Sequence, residues 1–333
     1  MEAPPSHVPD GYDILQRLGA GQTAVVWLAR AVRGGQRVAL KLPKPEALAQ
    51  PVLRRMFENE VQITLKLQHA NVVRAFDGRP TGEGAFLALE FCEGGTLDLL
   101  LLEKGKLPLD QAVALVRDVA LGLEHAHERS VLHRDVKPAN VFLSDTGAAK
   151  LGDFGTGTFS AEMAEERVGT AFYMAPELFA GEAASVRSDV YSLGVLAYEV
   201  LSGKRPFLGD SYDALMVAHM TALPRDLRQH RPDIAKHVSA VVMRAMSRDA
   251  TKRYQNVHAF LQAYRAALGE ASAGSATTPV PLATGRAARG KAATPAPSDD
   301  TTAPGDVGPE GSPAAGDAPK RRGLFGSWWR RDR

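Results

Sequence analysis

The sequence predicts an α+β fold of two lobes, a small strand-rich one followed by a larger helical one, with a disordered tail behind them. Three observations carry this. Short strand-like runs bounded by turns fill residues 12–90. Long segments with helical periodicity dominate after Gly95. Beyond Gly269 the composition falls to Ala, Pro, Thr, Gly and Ser, with no aromatic residue from Glu270 to Ala318.

The first lobe opens with "YDILQRLG" and "AVVWLAR", two strand-like runs joined by "GAGQT". Glycines at 19 and 21 let the chain turn back as a hairpin and let backbone N–H groups approach an anion closely. On its own such a turn is commonly a plain hairpin. "QRVALKL" supplies a third strand and "AFLALEF" a further one. Between them a helix is expected from about Leu53 to Leu67, with Phe57, Val61 and Leu65 at helical spacing. The second lobe contains "DQAVALVRDVALGLEHAHE", "SDVYSLGVLAYEVLSG", "DALMVAHMTAL" and "DIAKHVSAVVMRAMS", all helical in period. The boundaries read as an N-terminal extension over 1–10, a globular region over 11–268 with its lobes at about 11–90 and 93–268, a disordered linker over 269–319, and a basic-aromatic segment over 320–333. The linker cannot bury enough apolar surface to offset its ordering entropy.

The bulk numbers narrow the function. A chain of 333 residues can bury two cores. Lysine plus arginine (40) nearly balances aspartate plus glutamate (38), so no global field points to nucleic acid. One cysteine, Cys92, excludes an intramolecular disulfide and fits a reducing cytoplasm. The opening "MEAPPSHVPDGYDIL" has no basic and no apolar signal region, and no apolar run is long enough to span a bilayer, so no signal peptide or transmembrane helix is expected.

The chemistry concentrates in "LHRDVKPANV", residues 132–141. Asp135 is placed to accept a proton from an attacking hydroxyl, and Lys137 to neutralise charge on a transferring phosphoryl group. Asn140 offers a neutral oxygen to Mg²⁺. About a dozen residues on, "LGDFG" adds Asp153, a hard carboxylate ligand for the same cation. Phosphoryl transfer needs mainly positioning and charge neutralisation, and this ordered set supplies both. Upstream, Lys41 in "VALK" has two readings, a solvated edge lysine or an anion ligand paired with a carboxylate. Glu60 is the candidate partner. Glu58 sits about 200° away around the helix, so the two cannot both face Lys41.

These motifs resemble the eukaryotic-type protein kinase family, and most closely its bacterial serine/threonine branch, over about residues 11–268. The resemblance implies the two-lobed protein kinase fold, with ATP and Mg²⁺ (Mn²⁺ as a substitute) as cofactors. It implies that Gly19 and Gly21 belong to the loop covering the phosphates, and that Leu18 and Ala20 are further ATP-binding residues. Lys41 would contact the α- and β-phosphates and pair with Glu60, which stands nine residues before His69 of "HANVV". Asp135 would be the catalytic base, Lys137 would meet the γ-phosphate, and Asn140 and Asp153 would hold the metal. Val26, Ala39 and Phe142 would sandwich adenine, with Leu89 as gatekeeper and backbone groups of Glu90 and Cys92 as its hydrogen-bonding hinge. Val26, Ala39 and Phe142 also read as ordinary core. A redox role for Cys92 has no support in the surrounding sequence. Glu177 of "MAPE" would pair with Arg253, and Asp189 would brace the catalytic loop. Lys137 within "DVKPAN" and Thr170 of "GTAFYMAPE" are the serine/threonine pattern.

The chain departs from the family pattern at Ala24, which replaces the third loop glycine. Ala139 stands where many animal kinases carry a glutamate that reads a substrate arginine, so no strong basophilic preference is expected. Thr64 occupies a helix position that is often aliphatic, which either loosens the active arrangement or simply packs its methyl. The histidines outside the motif read as structural: His125 and His127, at i and i+2, share no helix face, and His69 reads as packing at the end of the Glu60 helix. The expected activity is transfer of the ATP γ-phosphoryl group to protein serine and threonine, with autophosphorylation, in bacterial signalling. The alternative is a catalytically weak pseudokinase-like scaffold. Small-molecule phosphorylation is disfavoured by "GTAFYMAPE".

Candidate phosphosites are Thr158, Ser160 and Thr170. Glu162, Glu165 and Glu166 in the same loop suggest a carboxylate that partly replaces a loop phosphate near Arg134. The bland alternative is a solvated acidic loop. The end "KRRGLFGSWWRRDR" sets Lys320, Arg321, Arg322, Arg330, Arg331 and Arg333 around Leu324, Phe325, Trp328 and Trp329. It reads either as a basic end whose aromatics dock on the globular region or as a weak anchor to an anionic membrane or partner protein, placing the protein in the cytoplasm at the inner membrane face.

Overall fold

In the computed structural model, residues 7–21, 23–154 and 164–269 are described, with side chains for all of these except 164–167. The expected linker beyond Gly269, the segment 320–333, Thr158, Ser160 and Glu162 lie outside the described residues, as do the side chains of Glu165 and Glu166.

The N-terminal lobe is a five-stranded antiparallel sheet: β1 (Tyr12–Ala20), β2 (Ala24–Ala31), β3 (Arg37–Pro43), β4 (Ala75–Arg79) and β5 (Phe86–Glu90), in the order β1-β2-β3-β5-β4. Side chains alternate between faces with period two. Val26, Ala39, Leu87 and Leu89 share one face with Phe57 and Val61. Trp27, Val38, Leu40, Leu42, Phe86 and Ala88 form a separate cluster on the other. Lys41 has the parity of Ala39 and so lies on the first face. After β3 come the short helix α1 (Pro45–Ala49) and then α2 (Pro51–Thr64). Met56, Phe57, Glu60, Val61 and Thr64 are the buried residues of α2, one stripe at i, i+1, i+4, i+5 and i+8. The helix is displaced from the expected 53–67. Pro51 starts it, since proline is tolerated in a first turn, and residues 65–67 leave it in single turns.

The C-terminal lobe contains α3 (Leu97–Lys104), α4 (Leu109–Glu128), a two-stranded hairpin of β6 (Val141–Leu143) and β7 (Ala149–Leu151), and then α5 (Ala164–Ala171), α6 (Pro176–Phe179), α7 (Val186–Ser202), α8 (Tyr212–Thr221), α9 (Lys236–Ala245) and α10 (Val257–Ala267). Every residue of α7 from Ser188 to Ser202 is buried, and α4 and α9 pack on it. Ser185 caps its start in a reciprocal capping box with Ser188. Gly122 of α4 marks a close approach: a β-carbon there would stand 2.2 Å from the Asn71 carbonyl oxygen. The hairpin β6–β7, with three residues per strand, and β4, "AFDGR", were not anticipated, because neither is long or alternating enough to show a period.

Candidate active site

Lys41 is not an edge lysine. Its strand β3 lies between β2 and β5, and the side chain is buried on the α2 side of the sheet. Its ammonium pairs with the Glu60 carboxylate and lies 3.5 Å from Asp153 Oδ1. Burial alone would lower the lysine pKa, but the two carboxylates outweigh it and hold the group above its ordinary value. Glu58 faces away and pairs with Arg54 at 3.7 Å. Thr64 is buried and donates its hydroxyl to the Glu60 carbonyl at 2.7 Å, so the polar atom is satisfied within the helix and the methyl is left to pack.

Residues 132–140 form a loop that ends in a 3-10 turn over Pro138–Asn140. Lys137 Nζ lies 2.7 Å from Asp135 Oδ2 and donates to the Thr170 hydroxyl at 3.0 Å. Thr170 donates in turn to Asp135 Oδ1 at 3.2 Å. Asn140 Nδ2 donates to the Asp135 carbonyl at 2.8 Å and to its carboxylate at 3.0 Å. This fixes the amide so that Asn140 Oδ1 is a buried acceptor without a hydrogen-bond partner. An orphaned neutral oxygen near a hard carboxylate fits a divalent cation. Among the described residues there is no cluster of three or more His, Cys, Asp or Glu able to chelate a metal. Asn140 and Asp153 are residues whose oxygens could hold a divalent cation that keeps much of its shell for other ligands.

Asp189 of α7 accepts from the backbone N–H of His133 and of Arg134, both at 2.9 Å, and its Oδ2 lies 2.8 Å from His127 Nε2. This supports Arg134 in the left-handed region, at φ 67°. His127 thus has a role in the loop that its helix-end position did not suggest. Burial lowers the His133 pKa, and the neutral ring donates from Nε2 to the Gly152 carbonyl at 2.9 Å and accepts at Nδ1 from the Asp135 N–H at 3.3 Å. Phe154 packs on the same ring at 4.6 Å between centroids. Gly152 has no room for a side chain: its β-carbon would lie 2.7 Å from the Phe142 ring.

Val26, Ala39, Leu89, Cys92 and Phe142 fall in one buried cluster, with Leu18 packed against it. Gly19 and Ala20 end β1, paired with Val26 and Val25, and Gly21 donates to the Ala24 carbonyl at 2.8 Å to close the turn. Ala39, Val73, Leu89, Phe142 and Asp153 line a cleft between the lobes. The N–H of Glu90 is taken by the Arg74 carbonyl at 2.8 Å. Burial pushes the Cys92 thiol up to about 12, which agrees with an inert cysteine.

Below the cleft, Arg253 donates two 2.7 Å bonds to Glu177 as a fork and three more to the carbonyls of Arg187, Ser247 and Arg248, beneath the Tyr191 ring. Burial alone would raise the Glu177 carboxyl, but the guanidinium outweighs it and holds the group below its usual range. Sequence reasoning missed a further buried carboxylate, Glu199, which accepts from the Tyr173 hydroxyl and from Arg205 Nε. The available signal was a charged residue inside the apolar run "GVLAYEVLSG".

The protein kinase domain family profile matches residues 12–264. The serine/threonine-protein kinase PknB of Mycobacterium leprae is 34% identical over 267 residues, covering 77% of this chain and 42% of that protein. The serine/threonine-protein kinase pkn2 of Myxococcus xanthus is 36% identical over 292 residues, covering 84% of this chain and 35% of that protein. The chain thus spans less than half the length of these relatives. The crystal structure of the Mycobacterium tuberculosis PknI kinase domain aligns with a TM-score of 0.62 and 26% identity, covering 80% of this chain and all of that one.

Proposed function

The chain belongs to the protein kinase domain family, in its bacterial serine/threonine branch, and from that membership we propose that it transfers the γ-phosphoryl group of ATP to serine and threonine hydroxyls of proteins. One observation carries the reading: a hydroxyl, that of Thr170, already stands between the Asp135 carboxylate and the Lys137 ammonium. An acceptor hydroxyl held in the same way would have its proton taken at an Asp135 oxygen and the adjacent charge offset by Lys137. The family implies ATP and a divalent metal. Bound ATP supplies the phosphoryl group, and the cation, proposed to be Mg²⁺, offsets its charge. Lys41, fixed by Glu60, orients the phosphates, and Asn140 and Asp153 hold the cation. Val26, Ala39 and Phe142 enclose adenine, with the Glu90–Cys92 backbone as hinge and Leu89 beside it.

The test is transfer of labelled phosphate from ATP to myelin basic protein, followed by phosphoamino-acid analysis, for wild type and Asp135→Asn. Label on serine and threonine, reduced by about a thousandfold in the variant, is expected. Label on tyrosine, or equal incorporation by both proteins, overturns the reading. The domain limits proposed are 11–268, with a linker over 269–319. Among the described residues no helix is long and apolar enough to cross a membrane. For 320–333 the proposal is reversible contact with an anionic membrane face, each basic residue contributing about 1 kcal/mol. Pelleting with anionic but not neutral vesicles, lost on truncation after Ala318, is the expected result.

A further inference from the structure

Helix α2 belongs to two cores. Phe57 and Val61 pack with the strand-rich sheet, while Leu67, just past the helix end, is buried in the core of the helical lobe with Ile63 against it. Residues 69–73 then form a seam on the helical lobe. The Asn71 carbonyl accepts from the Leu151 N–H at 2.9 Å, and its Nδ2 donates to the Ala149 carbonyl at 3.0 Å. The Val73 N–H donates to the Leu151 carbonyl and Lys150 Nζ to the Ala70 carbonyl, both at 2.9 Å. On this seam the ring of His69 stacks on that of His125 from α4, with centroids 4.8 Å apart and planes 29° apart. Each ring uses Nδ1 as an acceptor. His69 Nδ1 takes the Asn71 N–H at 3.1 Å. His125 Nδ1 takes an N–H of the Arg129 guanidinium at 3.1 Å. A backbone N–H and a guanidinium can only donate, so both rings are neutral and carry their proton on Nε2.

A proton added at Nδ1 would set donor against donor at both contacts and place a cation beside Arg129 and the other ring. His125 Nε2 is buried without a hydrogen-bond partner among the described residues, so that edge offers the added charge no acceptor. The charged groups facing the pair are Glu124 and Glu128 of α4, Arg129 just past it, and Lys150 of β7. Glu124 is itself met at 2.7 Å by His258 of α10. We infer that His69 and His125 are positioning residues that form a proton-sensitive latch: with both rings neutral the seam is closed and α2 holds Glu60 against Lys41, and protonation opens it and weakens the hold on the ATP phosphates. Burial first, with Arg129 adding to it, keeps both rings below the ordinary histidine pKa against the opposing charge of Glu128. The latch is therefore complete above that ordinary value and is lost as pH falls through the lower, folded values.

The inference rests on the kinase reading above, and the experiment separates the two. His125→Phe keeps an aromatic ring against His69 but does not titrate. His69→Asn keeps a side-chain acceptor for the N–H two residues on, and it does not titrate either. The double variant removes both protons. For each protein kcat/KM for ATP is measured across the acid range in transfer to myelin basic protein. Acid effects on Asp135 and on ATP itself are common to all the proteins, so the ratio between profiles isolates the latch. Between about pH 7.5 and about pH 5.5, wild type should lose at least about fivefold more kcat/KM than the double variant, with the single variants between them. In wild type, the Cε1–H magnetic resonance signals of the two rings should titrate together with that loss. A structural role alone would lower the thermal midpoint of the variants and leave the shape of the pH profile unchanged. Parallel profiles for wild type and double variant in an active enzyme overturn the inference and leave the kinase reading intact. If the variants do not fold, ring midpoints in wild type that fail to coincide with the loss of kcat/KM overturn it. Wild-type protein that transfers no phosphate at any pH would instead refute the kinase reading, and with it this inference.

Discussion

In the strand-rich lobe the cleft carries the ammonium of Lys41, which side chains hold: Glu60 from α2 on one side and Asp153, beyond β7, on the other. In the helical lobe the loop over 133–140 is held by its backbone. Asp189 binds two consecutive N–H groups, His133 bridges to the Gly152 carbonyl, and Asn140 binds the Asp135 carbonyl. The first arrangement depends on where α2 sits. The second is fixed by α7, a helix buried on all sides. Under the proposed reading, the lysine that would orient the phosphates is placed by a helix of the strand-rich lobe, while the residue that would accept the proton is placed by a buried helix of the other lobe, and catalysis dominated by orientation would need both.

Lys41→Ala tests the strand-rich side and should have the largest effect. Loss of the cation that orients phosphates should reduce transfer by about a hundredfold or more. It also leaves Glu60 buried without its cation, so stability should fall by about 3 kcal/mol. Adding Glu60→Gln should recover stability without recovering activity, as judged by thermal melts beside labelled-phosphate assays. Recovery of both would move the lysine's role from catalysis to packing.

Asp189→Asn tests the helical side. An amide has one acceptor oxygen, so one of the two loop N–H groups would face an NH₂ donor, and the left-handed Arg134 would lose support. Turnover should fall about tenfold or more, with little change in KM for ATP. A selective rise in KM for ATP would show that this loop is not separate from the nucleotide side.

Glu177→Gln probes stability rather than chemistry. It weakens a charge-assisted fork to a buried arginine, worth about 2 kcal/mol, and should lower the thermal midpoint by about 5 °C. The pH dependence has a definite sign. The folded Glu177 pKa is depressed. Its contribution is therefore complete above the ordinary carboxylate pKa and is lost as pH falls through the lower, folded value. Melts across that acid range should converge for wild type and variant, and a gap that persists at the lowest pH would contradict this assignment. Thr64→Val should change least, within a few tenths of a kcal/mol, because the lost hydroxyl serves only the Glu60 carbonyl within its own helix. A large loss of activity would show that this bond holds Glu60 in place.

The meeting of Asp135, Lys137 and Asn140 was legible because they lie within six residues, so local spacing carries their geometry. The period-two alternation of β2, β3 and β5 likewise put Val26, Ala39 and Leu89 on one face, although the burial of Lys41 depended on strand order, which alternation does not reveal. The contacts of Glu199 were not legible. Tyr173 lies in the segment between α5 and α6 and Arg205 in the one between α7 and α8, and only the packing of α7 brings them to Glu199. His127 was passed over for the same reason, since its partner Asp189 is 62 residues away. The three-residue strands β6 and β7 gave no period to read.

Arg253 has a consequence for the order in which the chain is made. It is buried almost at the end of the globular region, yet it joins Glu177, Arg187 and the Ser247–Arg248 turn. On the ribosome, Glu177 and all of α7 emerge long before this guanidinium exists, at about 5–20 residues per second. Until then the Glu177 carboxylate lacks its guanidinium partner, and closing the lower half of the helical lobe around it would be costly. Ribosome-bound chains stalled at residue 245 should therefore be cut readily by protease between α6 and α7, and chains stalled far enough downstream to free residues 1–269 should resist.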